Sequence, residues 1–428
     1  MGIYDSLRVK EETGNPIKLA LVGAGQMGTG MVSQMERMKG IRAMAVADII
    51  LERATKAYKE AGVPVEDVVV TTEREVAEEA LRKGKRVATT SGTLLTQLSP
   101  IEVVVEASGV PEVGAQVAFH SILNRKHIVM LNVETDVTVG YILRRMADAV
   151  GVVYTVSAGD EPGAIKELYD FAITMGFRVV AAGKGKNNPL NREATPDQLA
   201  AEAASKGMSA KMLCAFVDGT KTMVEMTAVS NATGLVPEVR GMHGPFATVE
   251  QLPKIFALKS QGGILEHEGI VDYVLGPVAP GVFVIVTTDQ KQIIKNMQYL
   301  HVGEGPNWIL YRPYHLANLE TPLSAARAVL MGETTLATVR KPVAETITIA
   351  KRDLKKGEKL DGIGQYTIYG SIEKADIATR ERLLPLGLAQ GATLTTDVKK
   401  GEAITYDQVE LDYNSMIVHL RALQDRLD

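Results

Sequence analysis

The sequence predicts an α/β protein built on a doubly wound parallel sheet, followed by an α+β segment and a small all-β tail. Three observations carry this expectation. From Pro16 to about Gly185, short apolar runs alternate with amphipathic stretches. A glycine turn, Gly23-Ala24-Gly25-Gln26-Met27-Gly28, joins the first apolar run to the first of these stretches. From about Pro342 the texture changes to short β-rich runs punctuated by glycine. Continuous apolar strands between helices imply a parallel sheet covered on both faces.

Taken in order, "IKLALVG" leads into a helix through the glycine turn, and "IRAMAVAD" ends at Asp48 before the charged helix "ILERATKAYKEAG". "IEVVVEASG" precedes the helix "PEVGAQVAFHSILNRK", "HIVMLNVE" precedes "YILRRMADAV", and "GVVYTVSAG" precedes "EPGAIKELYDFAITMG". Beyond Pro189 the period changes. "TPDQLAAEAASKG" has a Thr cap with Pro at the first helical position, and "SAKMLCAFVDGTKTMVEMTAVSNATGL" reads as one long helix ending near Gly234. Three domains follow: a dinucleotide-binding domain at 1–185, a substrate-binding and oligomerisation domain at 186–340, and the β tail at 341–428.

Composition narrows the function. The 428 residues carry a net charge of −4 with mixed signs, so neither a nucleic acid nor an anionic membrane is the expected partner. Cys214 stands alone, which excludes an internal disulfide and points to a reducing, cytoplasmic setting. No apolar run approaches transmembrane length. A homo-oligomer, dimer or tetramer, acting on a small anionic molecule is expected.

The glycine turn follows a strand, opens a helix, and has Asp48 twenty positions beyond Gly28. Gly23, Gly25 and Gly28 permit a tight turn, close backbone approach to a pyrophosphate and close helix packing, while the helix start at Gln26 and Met27 favours the anion. Asp48 suits an adenosine ribose and so NAD, whereas Arg53 can meet the extra phosphate of NADP. The sequence leaves both cofactors open. Ser108-Gly109 and Asn132, at later strand ends, are candidates for touching the cofactor, with an ordinary turn role for Asn132 equally open.

The stretch "VVAAGKGKNNP" suggests a strand that ends in a basic loop. Lys184, Lys186 and the amide of Asn188, together with Arg240 and Arg312, suit the substrate's phosphate or carboxylate, against a plain basic surface turn. Cys214, Asp218, Lys221 and Glu225 recur at helical spacing, as a solvated face or as an active-site floor. Asp160 and Glu161 in "SAGDEPG" offer hard oxygen ligands for Mg or Mn, or simply an acidic helix start. His243 and His315 are candidates for proton transfer.

The tail, through "AKRDLKKGEKLD" and "DVKKGEAIT", resembles the SAF domain, a compact β-clip module. The front half resembles the Rossmann-like domain of homoserine dehydrogenases through "LVGAGQMG" and "VVEASGVPEVGA", although Val133-Glu134 follows Asn132 where those enzymes carry lysine. The whole arrangement, with "GKGKNNP" and "YRPYHLANLE", is similar to the 1-deoxy-D-xylulose 5-phosphate reductoisomerase-like enzymes. That resemblance implies an NAD(P)H-dependent oxidoreductase acting on a sugar phosphate or polyol derivative in isoprenoid precursor synthesis. It also implies a divalent metal, and Lys184, Lys186, His243 and His315 are the catalytic candidates for such a reaction. The alternatives are a homoserine dehydrogenase-like or sugar-acid dehydrogenase, and a non-catalytic dinucleotide sensor whose SAF domain binds a partner or glycan.

Overall fold

A computed structural model describes residues 2–338 and 340–427. The chain divides into two compact units. One runs up to Asp160 and takes in a stretch beginning at Leu316 and a terminal stretch beginning at Tyr413; the other is Glu161–His315 with Arg340–Asp412.

The first unit begins with α1 (Ile3–Glu12), β1 (Ile17–Val22), α2 (Gln26–Met35), β2 (Ile41–Ala47), α3 (Leu51–Glu60), β3 (Val68–Val70) and α4 (Arg74–Arg82). It continues with β4 (Arg86–Thr89), α5 (Gly92–Gln97), β5 (Val103–Glu106), α6 (Pro111–Leu123), β6 (His127–Met130), α7 (Val133–Val150) and β7 (Tyr154–Val156). The second unit opens with α8 (Glu161–Thr174), β8 (Arg178–Lys186), α9 (Pro196–Ser205), α10 (Ala210–Val217), α11 (Thr220–Thr233) and α12 (Leu252–Ile255). β9 (Ile270–Leu275), β10 (Val282–Thr287), α13 (Lys291–Tyr299) and β11 (Asn307–Arg312) follow. Helix α14 (Ala317–Met331) belongs to the first unit. The second unit resumes with β12 (Ala344–Ala350), β13 (Ile368–Lys374), α15 (Ala375–Arg380), β14 (Thr393–Leu394) and β15 (Val409–Glu410), and α16 (Met416–Gln424) returns to the first.

The first unit is an α/β sandwich on a seven-stranded parallel sheet of order β3-β4-β2-β1-β5-β6-β7. The order reverses at β1, whose Val22 pairs with Ala47 on one side and Glu106 on the other. In such sheets the crevice beyond the strand ends at this reversal is where ligands bind. β1 is apolar throughout except Lys18, and Leu19 and Leu21 are fully buried with Met31, Val32 and Met35 of α2 against them. Helix α14 packs on α2, placing the Asn318 amide where a Cβ on Gly30 would lie. Helix α16 packs on α6 and α7, and the Glu112 carboxylate caps it by accepting the Met416 and Ile417 amides, each at 2.9 Å.

The second unit holds a four-stranded sheet of order β11-β10-β8-β9, in which β8 runs parallel to β9 and antiparallel to β10. Helices α8 and α11 cover one face, and Leu252, Phe256 and Phe283 fill the other. The tail is β-rich, as its composition predicts. Its two Lys-Lys-Gly-Glu copies form paired turns: Glu358 accepts the Lys355 amide at 2.7 Å and Glu402 the Lys399 amide at 2.9 Å. Asp397 accepts from the Lys356 amide at 3.0 Å, Asp353 from the Lys400 amide at 2.9 Å, and Leu354 bridges Val398.

Three expectations are corrected. The first unit closes at Asp160 rather than near residue 185, because β8 pairs with β9 and β10, and the chain adds α14 and α16 to that unit later. The basic stretch is strand, not loop: Gly183 and Gly185 face one side of β8, Lys184 and Lys186 the other. A Cβ on Gly183 would lie 2.0 Å from the Asp272 carbonyl oxygen, and one on Gly185 2.1 Å from the Ala279 nitrogen. These glycines serve close backbone packing. The long helix breaks into α10 and α11 at Gly219, which takes a φ of +88°. Among the described residues, no helix is long and apolar enough to cross a membrane.

Candidate functional site

In the first unit, the glycine turn follows directly from where β1 ends. Gly23 takes a φ of +98°, and a Cβ there would lie 2.7 Å from the Ala107 backbone. A Cβ on Gly28 would lie 2.0 Å from the Gly23 carbonyl oxygen. Both glycines are therefore required by the turn's own packing. Gly25 is not, since its φ is −70° and a Cβ there meets nothing within 4 Å. Its glycine keeps the approach to the start of α2 open to a group from outside the chain. That helix has no side-chain cap and no acidic residue in its first turn, and Gln26 and Met27 are exposed. Unclaimed amides and the helix dipole suit an anion there, and a dinucleotide's pyrophosphate fits this cradle.

Asp48 is buried and braces the turn. One carboxylate oxygen accepts the Ala24 amide at 2.8 Å and the other the Ile50 amide at 2.9 Å. Arg53 is exposed in α3. Ser108 donates its amide to Glu106 at 2.9 Å and accepts the Val110 amide on its hydroxyl at 3.2 Å, fixing the turn at Gly109. Asn132 is the N-cap of α7: its Oδ1 accepts the Thr135 amide at 3.3 Å and its Nδ2 donates to the Val110 carbonyl at 3.0 Å. Two buried carboxyls here, Glu106 and Asp136, are not among the expected site residues. Burial pushes Glu106 up to about 7, and it pushes Asp136, which accepts the Tyr154 hydroxyl at 3.0 Å, up to about 7 as well. The signal for Glu106 was an acid closing the apolar run "VVVE".

In the second unit, β8 delivers Lys184 between the carboxylates of Glu161, at the start of α8, and Glu225, on the fully buried stretch of α11. Burial works against the ammonium, but the two carboxylates outweigh it and hold Lys184 above its ordinary value. Burial and the nearby Glu161 charge push Glu225 up to about 7. Lys186 donates to the Asn188 carbonyl at 2.8 Å and the Phe216 carbonyl at 2.7 Å, and burial with the neighbouring Lys184 charge lowers it to about 8. His315 donates from Nδ1 to the Pro280 carbonyl at 2.8 Å, which leaves Nε2 3.5 Å from Glu161. One cation, two carboxylates and an imidazole thus lie together in a dry site, with Glu225 positioned near neutrality to give or take a proton.

Other expected site residues lie elsewhere or are engaged otherwise. Arg240 binds Glu373 at 2.6 Å and Glu381 at 2.8 Å. Arg312 binds Glu167 at 3.1 Å and stacks 4.7 Å over the Tyr314 ring. Asn188 meets Lys186 through its backbone carbonyl. His243 sits between Asp272 at 2.8 Å and Glu238 at 3.3 Å, and the Asp272 hydrogen bond holds it above its ordinary value. Of the four cations expected at one substrate anion, Lys186 included, Lys184, Arg240 and Arg312 each have carboxylate partners of the chain itself. Asp160 is buried at the close of the first unit. Glu161, the other expected metal ligand, shares the Lys184 ammonium with Glu225. Asp218 and Glu225, read alternatively as a solvated face, are buried, and Asp218 pairs with the buried Lys351 at 2.9 Å. Periodicity showed the stripe but not its partners, which are Lys184 of β8 and Lys351 just after β12.

Residues 159–321, under half of the chain, match the family described as oxidoreductase DRL, catalytic domain. That stretch holds Glu161, Lys184, Lys186, Glu225 and His315. None of the curated proteins matches this chain. Among solved structures, a probable dehydrogenase from Thermotoga maritima is similar at 13% identity and a TM-score of 0.44, over 75% of this chain and 91% of that one. The myo-inositol dehydrogenase from Lactobacillus casei, in complex with NAD(H) and myo-inositol, is similar at 16% identity and 0.38, over 70% and 75%. The 1-deoxy-D-xylulose 5-phosphate reductoisomerase from Zymomonas mobilis, in complex with NADPH, is similar at 16% and 0.34, over 51% and 59%. At these scores none of the three fixes the activity of this chain.

Proposed function

We propose that the protein is an NAD(P)-dependent oxidoreductase acting on a hydroxyl or carbonyl group of a small polar substrate. The observation that carries this is Lys184, held charged between Glu161 and Glu225 in the stretch similar to an oxidoreductase catalytic domain. The dinucleotide is placed at Gly23–Gly28, where Gly25 leaves the helix start accessible. Bound there, it supplies or accepts the hydride. Lys184 donates a hydrogen bond to the reacting oxygen and stabilises the negative charge that develops on it. Glu225 takes up or returns the hydroxyl proton, with Glu161 keeping the ammonium in place.

The reductoisomerase form of this reading needs an anion clamp and a divalent metal. Lys186, whose acceptors among the described residues are two carbonyls, is the candidate cation for a substrate anion. The geometry therefore favours a polyol or hydroxy-carbonyl substrate over a phosphate-anchored one. The paired turns of the tail support its SAF-like reading.

The test is direct. NADH and NADPH are titrated into the full chain by fluorescence, and turnover is then measured on a panel of polyols, hydroxy acids and sugar phosphates. Saturable dinucleotide binding with turnover of at least one substrate is expected. Absence of dinucleotide binding would falsify the reading.

A further inference from the structure

A second polar cavity lies in the first unit, at the opposite edge of the sheet from the glycine turn. Its volume is about 580 Å³, and it is lined by Arg74, Gln97, Glu102, Arg125, Lys126 and His127 among others. Lys126 and His127 sit at the start of β6 and Glu102 just before β5, so this is the N-terminal edge of the parallel strands, whereas the glycine turn follows the C-terminal end of β1. The two sites are separated by the length of the strands.

Two cations in this cavity, Lys126 and Arg125, form no ion pair among the described residues. Lys126 is buried to 6% exposure, and its ammonium has one acceptor among the described residues, the Ile101 carbonyl at 2.8 Å. Buried charges are normally paired, because an ammonium removed from water without a counter-ion is costly. The Glu78 carboxylate, which acts on Lys126 through space, is taken up by Arg74, Arg82 and Ser99. Glu102 accepts the Lys18 amide at 2.9 Å and stands 4.0 Å from Lys10. The Arg125 guanidinium has no partner among the described residues.

Arg125 also holds an unusual backbone conformation. It follows α6 with a φ of +53°, the left-handed position where glycine is favoured after a helix. A side chain there costs free energy and is retained at sites where the side chain itself is needed. His127 accepts the Val153 amide on Nδ1 at 3.0 Å, so its neutral ring presents Nε2–H as a further donor. The Gln97 amide, exposed on the rim, has no side-chain partner among the described residues.

We propose that this cavity binds a small dianion, a phosphate ester or a dicarboxylate, on Arg125 and Lys126. Arg125 supplies the planar fork that grips two oxygens, and Lys126 supplies the buried point charge. The sparse apolar lining suits a polar ligand rather than a hydrophobic one.

Isothermal titration of the full-length chain tests this, with inorganic phosphate and malonate as probes in low-salt buffer. The Gly25→Val variant serves as the background, so that phosphate cannot occupy the glycine turn. One saturable site is expected, weakened at least tenfold in Arg125→Gly and in Lys126→Met. Arg125→Gly also relaxes the backbone, so it folds at least as well as the parent and keeps the test decisive if Lys126→Met is unstable. Tighter phosphate binding assigns a phosphate ester, and tighter malonate binding a dicarboxylate. Absence of binding of either probe at millimolar concentration overturns the proposal, as does binding that both variants leave unchanged.

Discussion

Lys184 of β8 and Glu225 of α11, 41 residues apart in sequence, form a buried ion pair that Glu161 shares from the start of α8. Two carboxylates around one ammonium leave an excess negative charge in a dry site, and this is the physical reason why Glu225 titrates near neutrality. The pair gives the second unit a charged hydrogen-bond donor beside a proton acceptor, as alcohol oxidation and carbonyl reduction both require.

Under the proposed function, activity is expected to depend on the ionisation of Glu225. In the oxidative direction, turnover is expected to rise as pH passes through about 7, where Glu225 loses its proton. Glu225→Gln keeps the shape, removes the base, and should lower kcat by about 10²-fold while flattening that limb. A pH–rate profile of the variant that retains the limb would assign it to another group.

The glycine turn separates fold from ligand. Gly28→Ala puts a Cβ 2.0 Å from the Gly23 carbonyl oxygen, so it should lower Tm by several degrees along with cofactor affinity. Gly25→Ala meets no protein atom within 4 Å. It should leave Tm unchanged and weaken the dinucleotide about tenfold, or roughly 1.4 kcal/mol. Unchanged affinity in Gly25→Ala would place the pyrophosphate elsewhere.

Asp48 and Arg53 are expected to behave differently. Because Asp48 accepts two amides of its own chain, Asp48→Asn loses at least one of them and should weaken NAD(H) and NADP(H) alike, by roughly tenfold. Arg53 is exposed, and Arg53→Ala should weaken NADP(H) alone, with Tm unchanged. Dissociation constants for both cofactors decide this. A selective loss of NAD(H) in Asp48→Asn contradicts the bracing role.

Stability should fall with rising pH across the slightly acidic range. Asp136 is raised from 3.8 to about 7 by burial, so the folded state keeps its proton where the unfolded chain has lost it. Its contribution is fully present below about 3.8 and is lost as pH rises through about 7. Asp136→Asn can still accept the Tyr154 hydroxyl, and it should narrow the difference in urea midpoint between pH 5 and pH 8. The expected change is on the order of 1–3 kcal/mol. An equal difference in both proteins would show that Asp136 stays ionised in the fold.

The sequence by itself determined the alternation of strands and helices in the first unit, the glycine turn, and Asp48 at the end of β2. Each of these follows from local rules, namely hydrophobic period, turn chemistry and spacing along one βαβ unit. Gly234 closing α11 and Thr195 capping α9 follow from local rules as well. The tertiary structure alone decided what the charged residues face. "GKGK" carries the alternation of a strand, but only the fold shows that the glycines accommodate neighbouring backbone, that Lys184 turns toward α8 and α11, and that Lys186 turns toward α10. Glu225 and Asp218 share a helical stripe in sequence, yet their partners, Lys184 on β8 and Lys351 just after β12, lie far away along the chain. An ion pair is fixed by position in space, and residues 41 or 133 positions apart leave no periodic trace of it in the sequence.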